Sequence, residues 1–329
     1  MKLKMEKMGL KLLRFKWIIL LFLFSACNND DTKVQDEQPV MEPVYYPTFN
    51  ADSAYTFVAN QVDFGPRYPG SKGHYNAFLY LRKMLTNFCD TVYIQSTRGL
   101  TFDKKDIPIY NLVGVFNPKA EKRIILAAHW DTRPFADEDD SAATAPILGA
   151  NDGGSGVGVL LEIARLLKES PLTNIGIDII FFDAEDWGKG EVENSFCLGS
   201  QYWAKNPHIT SYTASYGILL DMVGAKNAVF AHESYSTQVA PDVVKKVWDA
   251  AGSLGYTGTF MSYDRGFVID DHYYVNRQTN IPMIDIIQHD PTHGFGEFWH
   301  THDDNMSVID KQTLEKVGKT LIKVLYDER

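Results

Sequence analysis

A short apolar segment that stops at two adjacent acids is the feature that most constrains this chain. Residues 175–182 are largely apolar and rich in β-branched and aromatic residues, which is typical of a buried strand, and the pair Glu185 and Asp186 follows after Asp183 and Ala184. Chemistry in open α/β sheets gathers beyond the carboxyl ends of such strands. One acid can therefore hold a metal while its neighbour moves a proton.

Three other strand-like segments end in the same way. Residues 123–128 lead into His129, residues 216–220 into Asp221, and residues 281–287 precede a loop that carries His300. A further acid, Asp152, stands just before a helical apolar pattern. If these strands are parallel neighbours, one edge of the sheet collects six side chains suited to Zn²⁺ and proton transfer: His129, Asp152, Glu185, Asp186, Asp221 and His300.

Each of these residues also has an ordinary structural interpretation. Asp152 can be a helix N-cap, Asp186 a solvated loop acid and His300 a surface histidine with satisfied hydrogen bonds. Chance placement of turns would not put all of them at the same end of successive strands. The joint pattern therefore favours a metal site.

The order of the segments predicts the fold class. Helical patterns occupy residues 53–62, 74–88, 156–168, 242–254 and 311–326, and further strands are expected at 91–96 and 110–116. Strands that alternate with helices indicate an α/β protein, here a three-layer αβα sandwich around a central mixed, mostly parallel sheet. Because no second linker or internal repeat is present, we expect one domain over residues 46–329.

The first residues have the pattern of a targeting segment. Basic residues precede an apolar run at 17–24 that is too short to anchor a chain stably across a bilayer. Small residues before Cys27 resemble a bacterial lipoprotein signal, which predicts a signal peptide over 1–26 and a lipidated Cys27. An ordinary secretory signal is the alternative, and both predict export. Residues 27–45 are polar and acidic, which predicts a disordered tether.

Charge and cysteine content limit the partners. The formal net charge is −10 at pH 7, and removal of the basic leader makes the chain more acidic. This argues against nucleic acid and against electrostatic membrane binding, so the predicted membrane contact is the lipid at Cys27 alone. Cys89 and Cys197 can form a disulfide or remain two buried thiols. The sequence does not determine the oligomeric state, and we favour a monomer.

Eight short motifs occur in the order found in glutaminyl cyclases, the zinc-dependent glutaminyl-peptide cyclotransferases whose fold is shared with zinc aminopeptidases. The chain is similar to that family through GPRYPGS (65–71), NLVGVFNP (111–118), HWDT (129–132), GAND (149–152), FFDAED (181–186), LDMVG (220–224), IDDH (269–272) and WHTHDDN (299–305). The resemblance covers nearly the whole of the predicted domain.

The resemblance implies one Zn²⁺ per chain and a role for each residue of the site. Asp152, Asp186 and His300 would bind the metal, and Glu185 would be the general acid/base. Asp221 and Asp270 would share a proton beside it, while Phe295 and Trp299 would form an aromatic wall and Ile269 would lie near the cavity mouth. Animal members carry Glu where this chain has Asp186, so the shorter side chain must bring the backbone closer to the metal.

The implied substrates are peptides or proteins with N-terminal glutamine, which would be cyclised to pyroglutamate with release of ammonia. The main alternative is a two-zinc aminopeptidase of the same fold, since His129 and Asp221 could complete a second metal site. The extra acid of the IDDH motif, Asp270, favours the cyclase because it can bond Asp221 and keep it from a second metal. A third alternative is a non-catalytic binding protein, but such a chain would be expected to have lost metal ligands or the base.

Overall fold

The structure, a computed structural model, describes residues 44–140, 142–289 and 294–328. The predicted signal peptide and nearly all of the predicted tether lie outside these residues, so both assignments stay predictions. The chain from Val44 onward forms one compact unit. Within the described residues, no helix is long and apolar enough to cross a membrane.

Six of the strands build a central sheet. The strands of the described residues are β1 (Thr91–Leu100), β2 (Asp106–Phe116), β3 (Arg123–His129), β4 (Gly176–Phe182), β5 (Tyr216–Asp221), β6 (Phe230–His232), β7 (Phe260–Asp264) and β8 (Met283–Ile287). The order in the sheet is β1-β2-β4-β3-β5-β8, and β6 pairs with β7 separately. Neighbours among β4, β3, β5 and β8 are parallel, whereas β1 and β2 are antiparallel additions. The prediction of a mixed, mostly parallel sheet is confirmed.

Helices cover both faces of the sheet. They are α1 (Ala51–Val62), α2 (Lys72–Phe88), α3 (Gly154–Glu169), α4 (Leu198–Lys205), α5 (Ser234–Val239), α6 (Pro241–Ser253), α7 (Asp271–Gln278) and α8 (Lys311–Asp327). Helices α1, α3, α6 and α8 pack together over one face in the larger apolar core, and α4 and α7 pack over the other. This arrangement confirms the three-layer αβα sandwich.

The burial pattern explains why the apolar segments became strands. Every residue of β3, β4, β5 and β8 is buried. Parallel strands covered on both faces are apolar throughout rather than alternating. Strand β1, at the edge of the sheet, instead alternates between half-buried and exposed residues.

Helix α3 sets the position of the site because it packs unusually close to the sheet. A Cβ at Gly156 would lie 2.5 Å from the carbonyl oxygen of Leu220, so only glycine permits this approach. The amino-terminal end of α3 is thereby held against the ends of β3 and β5. Asp152, just before the helix, consequently reaches the carboxyl edge of the sheet.

Three short helices, α4, α5 and α7, and one strand pair were not predicted. Helices α4 and α7 have eight residues each and little apolar periodicity, because their burial depends on each other and on the sheet. Strands β6 and β7 are short and partly exposed. Cys89 and Cys197 are both buried and free, which is the second of the two predicted alternatives for these residues.

Candidate metal centre and active-site cavity

The carboxyl ends of the parallel strands bring the candidate residues to one edge of the sheet. His129 ends β3, and its register partner is Phe182 at the end of β4, so Glu185 and Asp186 follow beside it. Asp221 ends β5. Asp152 arrives from the start of α3, and His300 comes from the loop between β8 and α8.

Asp152, Asp186 and His300 form a buried cluster whose candidate ligand atoms all lie within 4.8 Å of one another. His300 Nε2 lies 3.4 Å from Asp186 Oδ1 and 3.7 Å from Asp152 Oδ2. Asp186 Oδ2 is buried, and none of the residues that the structure describes forms a hydrogen bond with it. A buried carboxylate oxygen without a donor is unfavourable unless a cation binds it, so this donor set fits Zn²⁺.

The electrostatics of this cluster also favour a divalent cation. Burial would lower the pKa of His300, but the carboxylates of Asp186, Asp137 and Asp152 raise it to about 9 in the metal-free protein. Burial and the charge of Asp186 raise the pKa of Asp152 to about 6. Because a zinc-bound imidazole must be neutral, metal binding would displace the proton of His300.

A second cluster shares Asp152 with the first. His129 Nε2 lies 3.1 Å from Asp152 Oδ1 and 3.1 Å from Asp221 Oδ1, and all three residues are buried. Burial would lower the pKa of His129, but Asp131, Asp152 and Asp221 raise it well above its ordinary value. These carboxylates therefore favour the protonated form of His129 in the metal-free protein.

Glu185 lies beside the candidate metal cluster and is not a member of it. Its burial, with the charges of Asp186 and Asp270 added, raises its pKa well above the ordinary value for glutamate. The thiol of Cys197 donates a hydrogen bond of 3.3 Å to Glu185 Oε1. A carboxyl group with a raised pKa can exchange a proton near neutral pH, as a general acid/base requires.

Asp270 lies at the N-cap of α7, where its side chain accepts a hydrogen bond from the backbone of Asp271. Burial and the charge of Asp221 raise the pKa of Asp270 to about 7. Asp270 Oδ2 is buried and has no hydrogen-bond partner. The charge of Asp221 thus helps Asp270 to keep its proton up to about neutral pH.

A cavity of about 630 Å³ opens over these groups, and it is lined by the nine residues to which the family resemblance gives a role: Asp152, Glu185, Asp186, Asp221, Ile269, Asp270, Phe295, Trp299 and His300. The ring centroids of Trp299 and His300 are 3.7 Å apart, and those of Phe295 and Trp299 are 5.0 Å apart. Ile269 is 50% exposed. The structure therefore brings the predicted residues together, while their individual roles stay predictions.

Two further carboxylates hold the backbone of the site. Asp131 accepts hydrogen bonds from the amides of Glu185 and Asp186, at 3.0 and 3.3 Å. Asp304 accepts hydrogen bonds from the amides of Asn151 and Asp152, at 2.7 and 3.0 Å. The loops that carry the candidate ligands are consequently fixed by charged acceptors rather than by packing alone.

Backbone strain is concentrated at the same loops. Ala184, Met222 and His300 have φ angles of 54°, 48° and 55°, in the left-handed region that non-glycine residues rarely adopt. Ala184 adjoins Glu185, Met222 adjoins Asp221, and His300 is itself a candidate ligand. Strain of this kind persists where surrounding contacts impose the conformation, and it is common at active sites.

Sequence reasoning missed Arg133 and Asp137, which also line the cavity. Arg133 donates to Asp186, and Asp137 contacts His300, so both touch candidate ligands. They lie four residues apart in a loop without regular structure. Only their place directly after the HWDT motif could have drawn attention to them.

Comparison with known proteins gives consistent results. The profile of peptidase family M28 matches residues 111–325. The solved glutaminyl cyclase of Bacteroides thetaiotaomicron is 49% identical, with a TM-score of 0.85, over 87% of this chain and 100% of that one. A solved Zn-dependent exopeptidase of Parabacteroides distasonis is also 49% identical, with a TM-score of 0.84, over 86% and 100%. The glutaminyl-peptide cyclotransferase of Bothrops jararaca is 26% identical over 292 residues, 78% of this chain and 75% of that protein.

Proposed function

The chain belongs to peptidase family M28, and on that basis we propose that it is a glutaminyl-peptide cyclotransferase. It converts the N-terminal glutamine of peptides or proteins to pyroglutamate and releases ammonia. Support comes from the solved glutaminyl cyclase that this chain covers completely at 49% identity. The curated relatives named glutaminyl-peptide cyclotransferase agree with it.

The observation that carries the proposal within the fold is the buried Asp270 beside Asp221. An aminopeptidase that used two metals would need Asp221 as a ligand. Here burial and the charge of Asp221 raise the pKa of Asp270 to about 7, and we propose that the carboxyl group of Asp270 keeps Asp221 from binding a second metal. One zinc ion per chain, held by Asp152, Asp186 and His300, follows from this arrangement.

The reaction forms one bond and breaks one. The free α-amine of the glutamine attacks its own side-chain carbonyl carbon, a five-membered ring closes, and the bond to the side-chain nitrogen breaks. Glu185 takes a proton from the attacking amine and delivers one to the departing nitrogen, which leaves as ammonia. The raised pKa of Glu185 suits this exchange. When bound, Zn²⁺ supplies polarisation of the side-chain carbonyl oxygen.

The aromatic wall contributes orientation. Ring closure is intramolecular, so the site mainly has to hold the glutamine in a conformation from which the amine can attack. Phe295 and Trp299 form one continuous wall that ends on the ring of His300. The side chain of the glutamine packs against this wall, while Ile269, half exposed at the mouth, contacts the following residue.

A specific observation supports aminopeptidase activity as the second candidate. His129, Asp152 and Asp221 lie close enough to hold a second metal, and a solved relative at 49% identity is named a Zn-dependent exopeptidase. The two candidates differ in bond chemistry. A peptidase hydrolyses the first peptide bond, whereas the cyclase leaves that bond intact.

One assay separates the two candidates. The purified chain is incubated in separate reactions with a peptide that begins with glutamine and one that begins with leucine, and mass spectrometry follows the products. We expect loss of ammonia from the first peptide and no change in the second. Release of leucine without any cyclisation would replace the cyclase with the aminopeptidase, and no change in either peptide would favour the non-catalytic alternative.

We also propose that the protein is exported and anchored by a lipid at Cys27, on the basis of the basic leader, the apolar run and the small residues before the cysteine. Cys27→Ala should abolish labelling with fatty acid and move the chain out of the membrane fraction. Continued pelleting with membranes, together with a native protein that takes up no fatty acid, would instead indicate an ordinary secretory signal.

A further inference from the structure

The loop that follows β3 contacts two candidate metal ligands from different parts of the chain. Arg133 donates from Nη1 to the carbonyl oxygen of Asp186 at 3.0 Å and to its Oδ1 at 3.1 Å. Asp137 Oδ1 lies 3.3 Å from Nδ1 of His300. The amide of Glu138 donates to the carbonyl oxygen of His300 at 3.3 Å. Each of the two ligands is thus held by its backbone and by its side chain.

Arg133 and Asp137 are also bonded to each other. Nε and Nη2 of Arg133 donate to the two carboxylate oxygens of Asp137 at 2.6 and 2.5 Å, a forked pair of the kind that fixes geometry as well as energy. The Arg133 side chain is 4% exposed, and that of Asp137 is 40% exposed. The pair therefore forms one rigid link between Asp186, after β4, and His300, in the loop before α8.

The contacts select particular ligand atoms. Because Arg133 occupies Oδ1 of Asp186, Oδ2 is left buried and without a partner. Asp137 lies next to Nδ1 of His300, while Nε2 faces Asp152 and Asp186 and is therefore the nitrogen placed to bind a metal. The loop thus leaves Oδ2 of Asp186 and Nε2 of His300 as the atoms that these two residues can offer to a metal.

We propose that Arg133 and Asp137 are positioning residues for the zinc site, which set the separation of Asp186 and His300 and select the atoms they present. The inference rests on the metal site of the proposed function. It also accounts for the use of aspartate at position 186, since Arg133 ties the shorter side chain to its own backbone carbonyl and so fixes how far it extends.

The test measures zinc affinity directly. Zinc is removed from the purified chain, and its rebinding is followed by competition with a chromogenic chelator. We expect Asp137→Asn and Arg133→Gln to weaken zinc binding about 10- to 100-fold, as loss of an outer partner does in other sites. Arg133→Lys keeps the charge but cannot form the fork and should also bind zinc more weakly than the native chain.

A buried ion pair at the other end of the sheet provides the matched control. Arg123 bonds both oxygens of Asp178 at 2.7 Å, and neither residue contacts the candidate ligands. Asp178→Asn should lower the melting temperature of the metal-free chain and leave zinc affinity unchanged. The Asp137 variant should show the reverse pattern.

The outcomes separate the two proposals. If the Arg133 and Asp137 variants bind zinc as tightly as the native chain, the positioning inference is wrong, whether or not their melting temperature falls. If the native chain itself binds no zinc, the metal site of the proposed function is wrong. Weaker zinc binding in the variants, with a metal-free melting temperature near that of the native chain, supports the inference.

Discussion

Two clusters of the same residue types share Asp152 and differ in how their atoms are partnered. In the cluster with Asp186 and His300, the contacts are 3.4 and 3.7 Å, and one carboxylate oxygen has no partner. In the cluster with His129 and Asp221, one imidazole nitrogen bonds two carboxylates at 3.1 Å. The first cluster contains a buried carboxylate oxygen that no described residue bonds, whereas in the second the imidazole nitrogen of His129 contacts both carboxylates.

The types of residue present therefore do not by themselves identify a metal site. Aspartate and histidine side chains within 4.8 Å occur in both clusters. We propose that the surrounding structure separates them, because Arg133 and Asp137 contact the ligands of the first cluster and Asp270 lies beside Asp221 of the second. This distinction is what makes a one-metal cyclase more consistent with the fold than a two-metal peptidase.

Replacing the histidine of each cluster should show the largest difference between the two clusters. His300→Ala removes the only imidazole of the first cluster and should abolish both zinc binding and activity. His129→Gln should keep zinc, because His129 only bonds carboxylates. Elemental analysis of the two purified variants measures the difference. Full zinc in the His300 variant would remove that residue from the site, and loss of zinc from the His129 variant alone would exchange the roles of the clusters.

Glu185→Gln should separate metal binding from proton transfer. Zinc should remain, because the ligand is the neighbouring Asp186, while kcat falls by about two to four orders of magnitude on loss of the general acid/base. Cys197→Ala, which removes only the thiol contact with Glu185, is the control and should have a much smaller effect. Near-normal turnover by the Glu185 variant would assign proton transfer to another group.

Asp270→Ala should make Asp221 available as a metal ligand and so test the difference between the two clusters. We expect cyclisation to fall about 10- to 100-fold, as for loss of an outer partner, and binding of a second zinc ion at the cluster of His129, Asp152 and Asp221 to become measurable. Zinc titration followed by elemental analysis gives the stoichiometry. Two zinc ions in the native chain, or unchanged cyclisation in the variant, would contradict the role given to Asp270.

The smallest effect concerns stability of the metal-free chain against pH. Asp152, Asp270 and Asp304 have folded pKa values raised to about 6, 7 and 7 from 3.8, so the folded state binds more protons than the unfolded state between these values. Their contribution is fully present below about pH 4 and is lost as pH rises to about 7. As the pH rises from about 4 to about 7, we expect the melting temperature of Asp270→Asn to fall by a few degrees less than that of the native chain. Identical pH dependence in the native and variant chains would show that the pKa of Asp270 is not raised.

The sequence determined the fold class and the location of the site. Four apolar segments are buried strands, and because parallel strands end at the same edge, the acids and histidines that follow them had to converge. Short motifs then indicated the family. These features are local, since a strand pattern and the residue after it can be read within about ten positions.

Only the tertiary structure decided how the atoms of the converged residues are partnered. Asp270 meets Asp221 because α7 packs over the sheet, and α7 is too short and too weakly periodic to be predicted. Arg133 reaches Asp186, and Asp137 reaches His300, across loops whose paths no local pattern specifies. Hydrogen bonding and charge depend on which side chains meet from distant parts of the chain, so the partnering of each oxygen and nitrogen follows from packing and not from spacing.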